Sequence, residues 1–450
     1  MKNILLIGAG KSSNVLVDYL LKNAGENDWQ IHIADIDPEA VEEKFPKNEQ
    51  LKITGFDIKN TDALNALIQD KDIVLSLLPS HMHVPVAEAC IALKKNMLTA
   101  SYISDEMKAL DEAAQKAGVL ILNEMGLDPG IDHMSAMQLI NRLKSEGAEI
   151  DTFESFTGGL LAPESEKDNP WNYKFTWNPR NVVLAGQGVS KFLHEGKLKY
   201  IPYHRLFNRT EIINIPPYGY FGGYANRDSL KYQSIYGLEN VRTLYRGTLR
   251  RPRFSRTWNV FVQLGATDDS YKIDCRDMSY KDFINSFLYF RPNDSVELKL
   301  AHYLNLDLDS EEMYKLRWLG IFSDKKVGLD KATPAQILQK ILEDKWTLDP
   351  DDKDMIVMWH KFIYKLNNEL HELHSSMVCI GENQRNTAMA KCVGMPLGIA
   401  AKLILDGEIK AKGVQLPIEE SIYSPVLKAL GEEGIVFNET VPSGVDRTVG

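Results

Sequence analysis

From Asn3 to Gly126 short apolar runs alternate with amphipathic helical stretches, and this alternation limits the fold more tightly than anything else in the chain. The strand-like runs are NILLIG, IHIAD, LKITGFD, DIVLSLLP, NMLTAS and VLILNEMG. The helical stretches between them begin after GAGKSS, with Val15, Leu16, Tyr19 and Leu20 on one face, and continue as PEAVEEKF, DALNALIQD, VAEACIALKK and DEMKALDEAAQKAG. Parallel strands need crossovers, and crossovers are right-handed. Six strands so joined predict an α/β fold: a doubly wound parallel sheet of the Rossmann type.

The turn after the first strand reads GAGKSS, Gly8 to Ser13. A mononucleotide phosphate loop, G-x-x-x-x-G-K-[ST], would need its first glycine at Leu5, inside the strand, so that reading fails on spacing. The dinucleotide pattern G-x-G-x-x-G/A is met by Gly8, Gly10 and the small Ser13. A helix over Lys11–Lys22 would offer its N-terminus to a pyrophosphate. Asp35, at the end of the second strand, can accept hydrogen bonds from both ribose hydroxyls and repels a 2′-phosphate. That favours NAD over NADP. The alternative is that Asp35 or Asp37 only caps the next helix.

Composition excludes several classes. In 450 residues, 52 Lys and Arg face 62 Asp and Glu, a net charge of -10 that argues against nucleic acid as a partner. The four cysteines stand far apart and read as reduced thiols, which predicts a cytoplasmic protein. No stretch approaches the roughly 18 uninterrupted apolar residues of a membrane span, so no membrane is expected. HELH is one residue short of the zinc-binding H-E-x-x-H, and no metal is expected there.

Past Gly126 the texture changes. GLDPGIDH reads as a turn before an amphipathic helix to about Glu146. Strands IDTFESFTGG and VRTLYRGTLR follow, separated by aromatic and proline-rich loops, NPWNYKFTW and IPPYGYFGGYANRDS. Residues 255–350 read as short helices. DMIVMWHKFIYKL and HELHSSMVCIG return to strand character, and NTAMAKCVGMPLGIAAKLILDG is an apolar helix expected to complete the first domain.

Ser101 and Tyr102 follow the fifth strand, and Asp128 follows the sixth. All three fall on the edge where a nicotinamide would lie, although Asp128 also suits a helix cap before Pro129. His81 and His83 follow the fourth strand; a packed loop end is their plainer reading, contact with cofactor or substrate the sharper one. Arg227 in NRDS, with Arg246 and Arg250 in RGTLR, can clamp carboxylates or form ordinary salt bridges. The residues alone reach an NAD(P) oxidoreductase acting on an anionic metabolite.

LTASYIS, NEMGLDPGIDH, FTGGLLAPES, DNPWNYKFTW, ANRDS, RGTLR, WLGIFSDKK and KLILDGEIK occur in order along the chain. On these segments it resembles saccharopine dehydrogenase of the L-glutamate-forming type. The resemblance implies three parts: a dinucleotide-binding domain from residues 1–125 and 385–450, an α/β saccharopine-binding and dimerisation domain from 126–254 and 350–384, and a helical domain, 255–349. It implies oxidation of L-saccharopine, a secondary amine with three carboxylates, to L-glutamate and L-2-aminoadipate 6-semialdehyde in lysine metabolism, by a homodimer.

It further implies that Ser101, Tyr102, Asp128, Arg227, Thr248, Leu249 and Arg250 contact substrate, with Tyr102 and Asp128 handling protons near the amine. Gly8, Ala9, Gly10, Lys11, Ser12, Asp35, Asp57, Ile58, Leu78, Thr99, Leu127 and Pro129 would line the cofactor. Two positions depart from relatives. Thr157 stands where some carry cysteine, and Ala34-Asp35-Ile36 where fungal ones carry a Cys-Arg-Thr suited to NADP. A carboxypolyamine dehydrogenase with an acidic pocket and a non-catalytic NAD(P) sensor are the competing readings.

Overall fold

The computed structural model describes residues 1–442. The chain divides into two compact units, one of Met1–Ile150, Tyr364–His371 and Met377–Thr440, the other built on Asp151–Ile363 with Glu372–Ser376.

In the first unit the alternation becomes β1 (Lys2–Ile7), α1 (Asn14–Asn27), β2 (Trp29–Asp35), α2 (Pro38–Lys44), β3 (Leu51–Gly55), α3 (Thr61–Ile68) and β4 (Ile73–Ser76). Next come α4 (His83–Ala92), β5 (Asn96–Thr99), α5 (Asp105–Lys108), α6 (Asp111–Ala117), β6 (Leu120–Leu122) and α7 (Ile131–Ser145). The strands lie in the order β3-β2-β1-β4-β5-β6, and a seventh, Gly413–Gln415, pairs in parallel with β6. Because helices cover both faces, the strands are apolar throughout rather than alternating. Ile4, Leu5, Leu6 and Ile7 are all fully buried. The order reverses between β1 and β4, and ligand crevices open at such points, outside the carboxyl ends of the strands.

One local feature differs from expectation. DEMKALDEAAQKAG is two helices, α5 and α6, because the chain tightens to an i→i+3 bond from Leu110 N–H to the Met107 carbonyl (3.1 Å). The helix Ala388–Leu405 is long and apolar enough by composition to cross a membrane, but Lys391 and Lys402 interrupt its apolar run. The helix is 78% buried within the protein and packs on α1. A Cβ added at Gly394 would stand 3.0 Å from Leu16, and one at Gly398 would stand 2.6 Å from the Tyr19 ring. Its glycines let two backbones approach closely, as a core helix requires.

The second unit holds β7 (Glu149–Leu161), β8 (Val189–His194), β9 (Lys197–Pro202), β10 (Glu211–Asn214), β11 (Tyr220–Ala225) and β12 (Thr243–Arg250). Its sheet is mixed: β11 runs antiparallel to β12, and β12 runs parallel to β7 with Thr248 opposite Thr157. β11 replaces part of the expected proline-rich loop. Gly223 on β11 and Gly247 on β12 are packing residues, not turn signals: a Cβ on the first would lie 2.7 Å from the buried Phe156 ring, and one on the second 2.1 Å. The short helices appear as expected, among them Phe254–Leu264 and Pro334–Trp346. They pack through an aromatic cluster of Trp171, Tyr173, Phe254 and Trp346.

Candidate active site

The glycine loop is pinned from three sides. Gly8 takes φ +88° and donates to the Ala34 carbonyl (2.9 Å), and a Cβ there would press the Leu77 carbonyl at 3.2 Å. Gly10, by contrast, faces open space. The Asp35 carboxylate accepts the Ala9 N–H (2.6 Å) through one oxygen and the Asp37 N–H (3.0 Å) through the other. Lys44, at the end of α2, donates to the Ala9 carbonyl (2.9 Å). No side chain caps the first turn of α1 or the 3₁₀ turn Lys11–Ser13 before it, so its N–H groups remain available to an anion.

Asp37 takes the capping role on α2, accepting from Ala40 N–H (3.1 Å). Asp57 and Ile58 follow β3, Leu78 follows β4, and Thr99 ends β5, all on the edge that carries the loop. An open glycine face, a free helix start and a carboxylate at the second strand together fit a dinucleotide.

Beside this edge lies a buried histidine. His83 Nδ1 is 2.9 Å from Ser76 Oγ, and Nε2 is 2.8 Å from Ser101 Oγ and 3.2 Å from Thr99 Oγ1. Burial holds the imidazole neutral and lowers its pKa to about 4. His83 therefore reaches the expected substrate residue Ser101 directly. His81 is exposed.

Tyr102 and Asp128 come together. The phenolic O–H donates to Asp128 Oδ1 at 2.9 Å, and both side chains are half-buried. Each sits on a loop with little freedom. Gly130 at φ +145° folds the 126–130 turn back on itself, with Gly126 N–H bonded to the Pro129 carbonyl (3.0 Å); a Cβ on Gly130 would meet Gly126 at 2.1 Å. Leu127 and Pro129 are buried on either side of Asp128. Beneath them lies a polar group that sequence reasoning missed: Glu124, Asp132 and His133, each at most 2% exposed. The signal was present, since four ionisable residues, Asp128 among them, fall within the ten positions 124–133 of a mostly apolar strand–turn–helix. Lys44 was missed as well.

In the second unit the expected substrate residues differ in setting. Arg250 is 5% exposed, lies over the Tyr173 and Phe254 rings at 5.0 and 5.6 Å, and donates Nη1–H to the Leu249 carbonyl (2.8 Å). Its Nε–H has no partner and, among the described residues, no carboxylate pairs with it. A buried cation in that state is a strong anion receptor. Thr248 shares its face of the sheet, whereas Leu249 points to the opposite face and is fully buried. Thr157, opposite Thr248, keeps an unpaired buried hydroxyl. Arg227 is exposed on the loop after β11, with φ +53°. Arg246 is buried over the Tyr232 ring (4.3 Å).

Comparison with known proteins decides the family. Residues 4–122 match the model for the saccharopine dehydrogenase NADP binding domain, and residues 126–435 match that for the saccharopine dehydrogenase C-terminal domain. The chain belongs to the saccharopine dehydrogenase family.

It is 32% identical to the saccharopine dehydrogenase (NADP(+), L-glutamate-forming) of Pyricularia oryzae, covering 98% of this chain and 99% of that one. It is 36% identical to the mitochondrial alpha-aminoadipic semialdehyde synthase of Rattus norvegicus, covering 97% of this chain. The chain spans 47% of the length of that relative. The fold matches the apo saccharopine dehydrogenase (L-Glu forming) from Saccharomyces cerevisiae with a TM-score of 0.88 at 29% identity, over 98% of this chain and all of that one.

Proposed function

We propose that this family member oxidises L-saccharopine, with NAD(P)⁺ and water, to L-glutamate and L-2-aminoadipate 6-semialdehyde, reversibly. Reduced coenzyme and one proton complete the balance. The reading is carried by the Tyr102–Asp128 hydrogen bond at the carboxyl edge of a dinucleotide-binding sheet, in a chain that matches L-glutamate-forming enzymes along their whole length.

When bound, NAD(P)⁺ supplies the hydride acceptor. The protein's own part is proton handling and orientation. Saccharopine's secondary amine must lose its proton before the neighbouring carbon can release hydride. Tyr102 donates its O–H to Asp128; as the ammonium proton moves to the phenolic oxygen, the phenolic proton moves to Asp128. The same pair, now protonated, returns a proton to nitrogen when water adds to the imine and glutamate departs. Ser101, Arg227, Thr248, the Leu249 backbone and Arg250 orient the three carboxylates.

The buried guanidinium of Arg250, with no hydrogen-bond partner at Nε and no carboxylate beside it among the described residues, favours this tricarboxylate over a carboxypolyamine, whose amines would be repelled. Gly8, Ala9, Gly10, Lys11, Ser12, Asp57, Ile58, Leu78, Thr99, Leu127 and Pro129 line the coenzyme, and Asp35 tips the choice toward NAD. Two compact lobes with a helical subdomain at 255–349, a homodimer and a cytoplasmic location belong to the same reading. The rat relative carries "mitochondrial" in its name.

The test follows coenzyme reduction by absorbance after mixing protein, L-saccharopine and either NAD⁺ or NADP⁺, with glutamate assayed in parallel. Stoichiometric reduced coenzyme and glutamate support the reading. Coenzyme binding with no turnover would favour a sensor.

A further inference from the structure

We propose that the buried Glu124–His133 pair is the positioning device that sets the Tyr102–Asp128 hydrogen bond. This rests on the functional reading above. Glu124 holds the segment around Tyr102 from both sides: its backbone N–H donates to the Ser101 carbonyl (3.1 Å) and its Oε1 accepts the Ile103 N–H (2.9 Å). Its second oxygen, Oε2, lies 2.7 Å from His133 Nε2, on the first turn of α7. His133 is fully buried, and Asp132 beside it accepts the Gly130 N–H (2.6 Å) from the turn that carries Asp128.

One carboxylate thus joins the loop carrying Tyr102 to the helix start behind the loop carrying Asp128. Glu124 does so at φ +55°, in the left-handed region, which costs a non-glycine residue about 1 kcal/mol or more. Burying a carboxylate and straining its backbone yields no packing benefit that an apolar residue would not give better. The cost is intelligible as pre-organisation, since misplacing a reacting group by about 1 Å can lower rates about 100-fold.

Glu124→Gln keeps the size and one acceptor but opposes an N–H₂ or loses the contact at His133. We expect kcat to fall about 10- to 100-fold, with KM for saccharopine and coenzyme affinity within about twofold. His133→Gln can still donate to Glu124 and should retain most of kcat, while His133→Leu should lose it as Glu124→Gln does. In a Tyr102→Phe background Glu124→Gln should add little, because the bond it positions is already gone.

A merely structural role predicts full additivity, lowered melting temperature and unchanged kcat. Either additivity or unchanged kcat would overturn the proposal. A readout independent of turnover is the ¹⁹F resonance of 3-fluorotyrosine at position 102. It should move in Glu124→Gln and His133→Leu, and not in His133→Gln. An unmoved resonance in all three would also overturn the proposal, whatever the enzyme's substrate proves to be.

Discussion

Tyr102 O–H donates to Asp128 Oδ1 at 2.9 Å, so the loop after β5 and the loop after β6 present one shared proton. Removing the hydroxyl by Tyr102→Phe leaves packing intact and takes the Tyr102 donor from Asp128. Removing a general acid–base group costs about 10²- to 10⁴-fold in rate. Steady-state kinetics should show kcat reduced within that span and coenzyme dissociation constants unchanged. A variant with wild-type kcat would remove Tyr102 from the proton path.

Arg250 makes the opposite demand on the protein. Its guanidinium is buried over aromatic rings with no carboxylate beside it among the described residues. Arg250→Met should raise the saccharopine KM about 100-fold, as expected for loss of a desolvated charged pair, while the melting temperature holds or rises. A lower melting temperature with unchanged KM would make Arg250 a structural residue.

Asp35 has two tasks to separate. It fixes the glycine loop through Ala9 N–H, and a carboxylate at the end of the second strand of such a fold disfavours a 2′-phosphate. Asp35→Asn should shift the ratio of NAD to NADP affinity toward NADP about tenfold, or about 1.4 kcal/mol. If both coenzymes weaken equally, the residue only holds the loop.

Acid stability follows from two histidines. Burial lowers the pKa of both His32 and His83 to about 4, from 6.5 when unfolded. Between those values the unfolded chain binds more protons than the folded one, so stability falls as pH falls from 6.5 toward 4. The His83 shift corresponds to roughly 3 kcal/mol, fully present above pH 6.5, and that of the less buried His32 to less. Urea melts from pH 7.5 to 4.5 should show this slope, and His83→Gln should reduce it. An unchanged slope would mean that His83 is not held neutral.

How far the sequence carries the structure depends on whether its signals are local. Strand–helix alternation and GAGKSS are read within a few residues, and they point to the sheet, its order and the loop. Asp35 was legible as a carboxylate placed for the ribose, but not its bond to Ala9, which joins residues 26 apart. Lys44 looked like one more cation on a charged helix. Glu124 and His133 could not be paired from sequence because the pairing depends on a left-handed residue and a tight turn between them. Gly223 of β11 misled for a related reason: it answers to the Phe156 ring from another strand, not to a turn.

The most direct measurement uses saccharopine deuterated on the carbon that becomes the semialdehyde aldehyde. Saccharopine's nitrogen has two oxidisable neighbours, and only oxidation at this one releases glutamate. Mass spectrometry is expected to find the deuterium in the reduced nicotinamide, with glutamate as the free amino acid. Unlabelled reduced coenzyme, with lysine and 2-oxoglutarate as products, would contradict it.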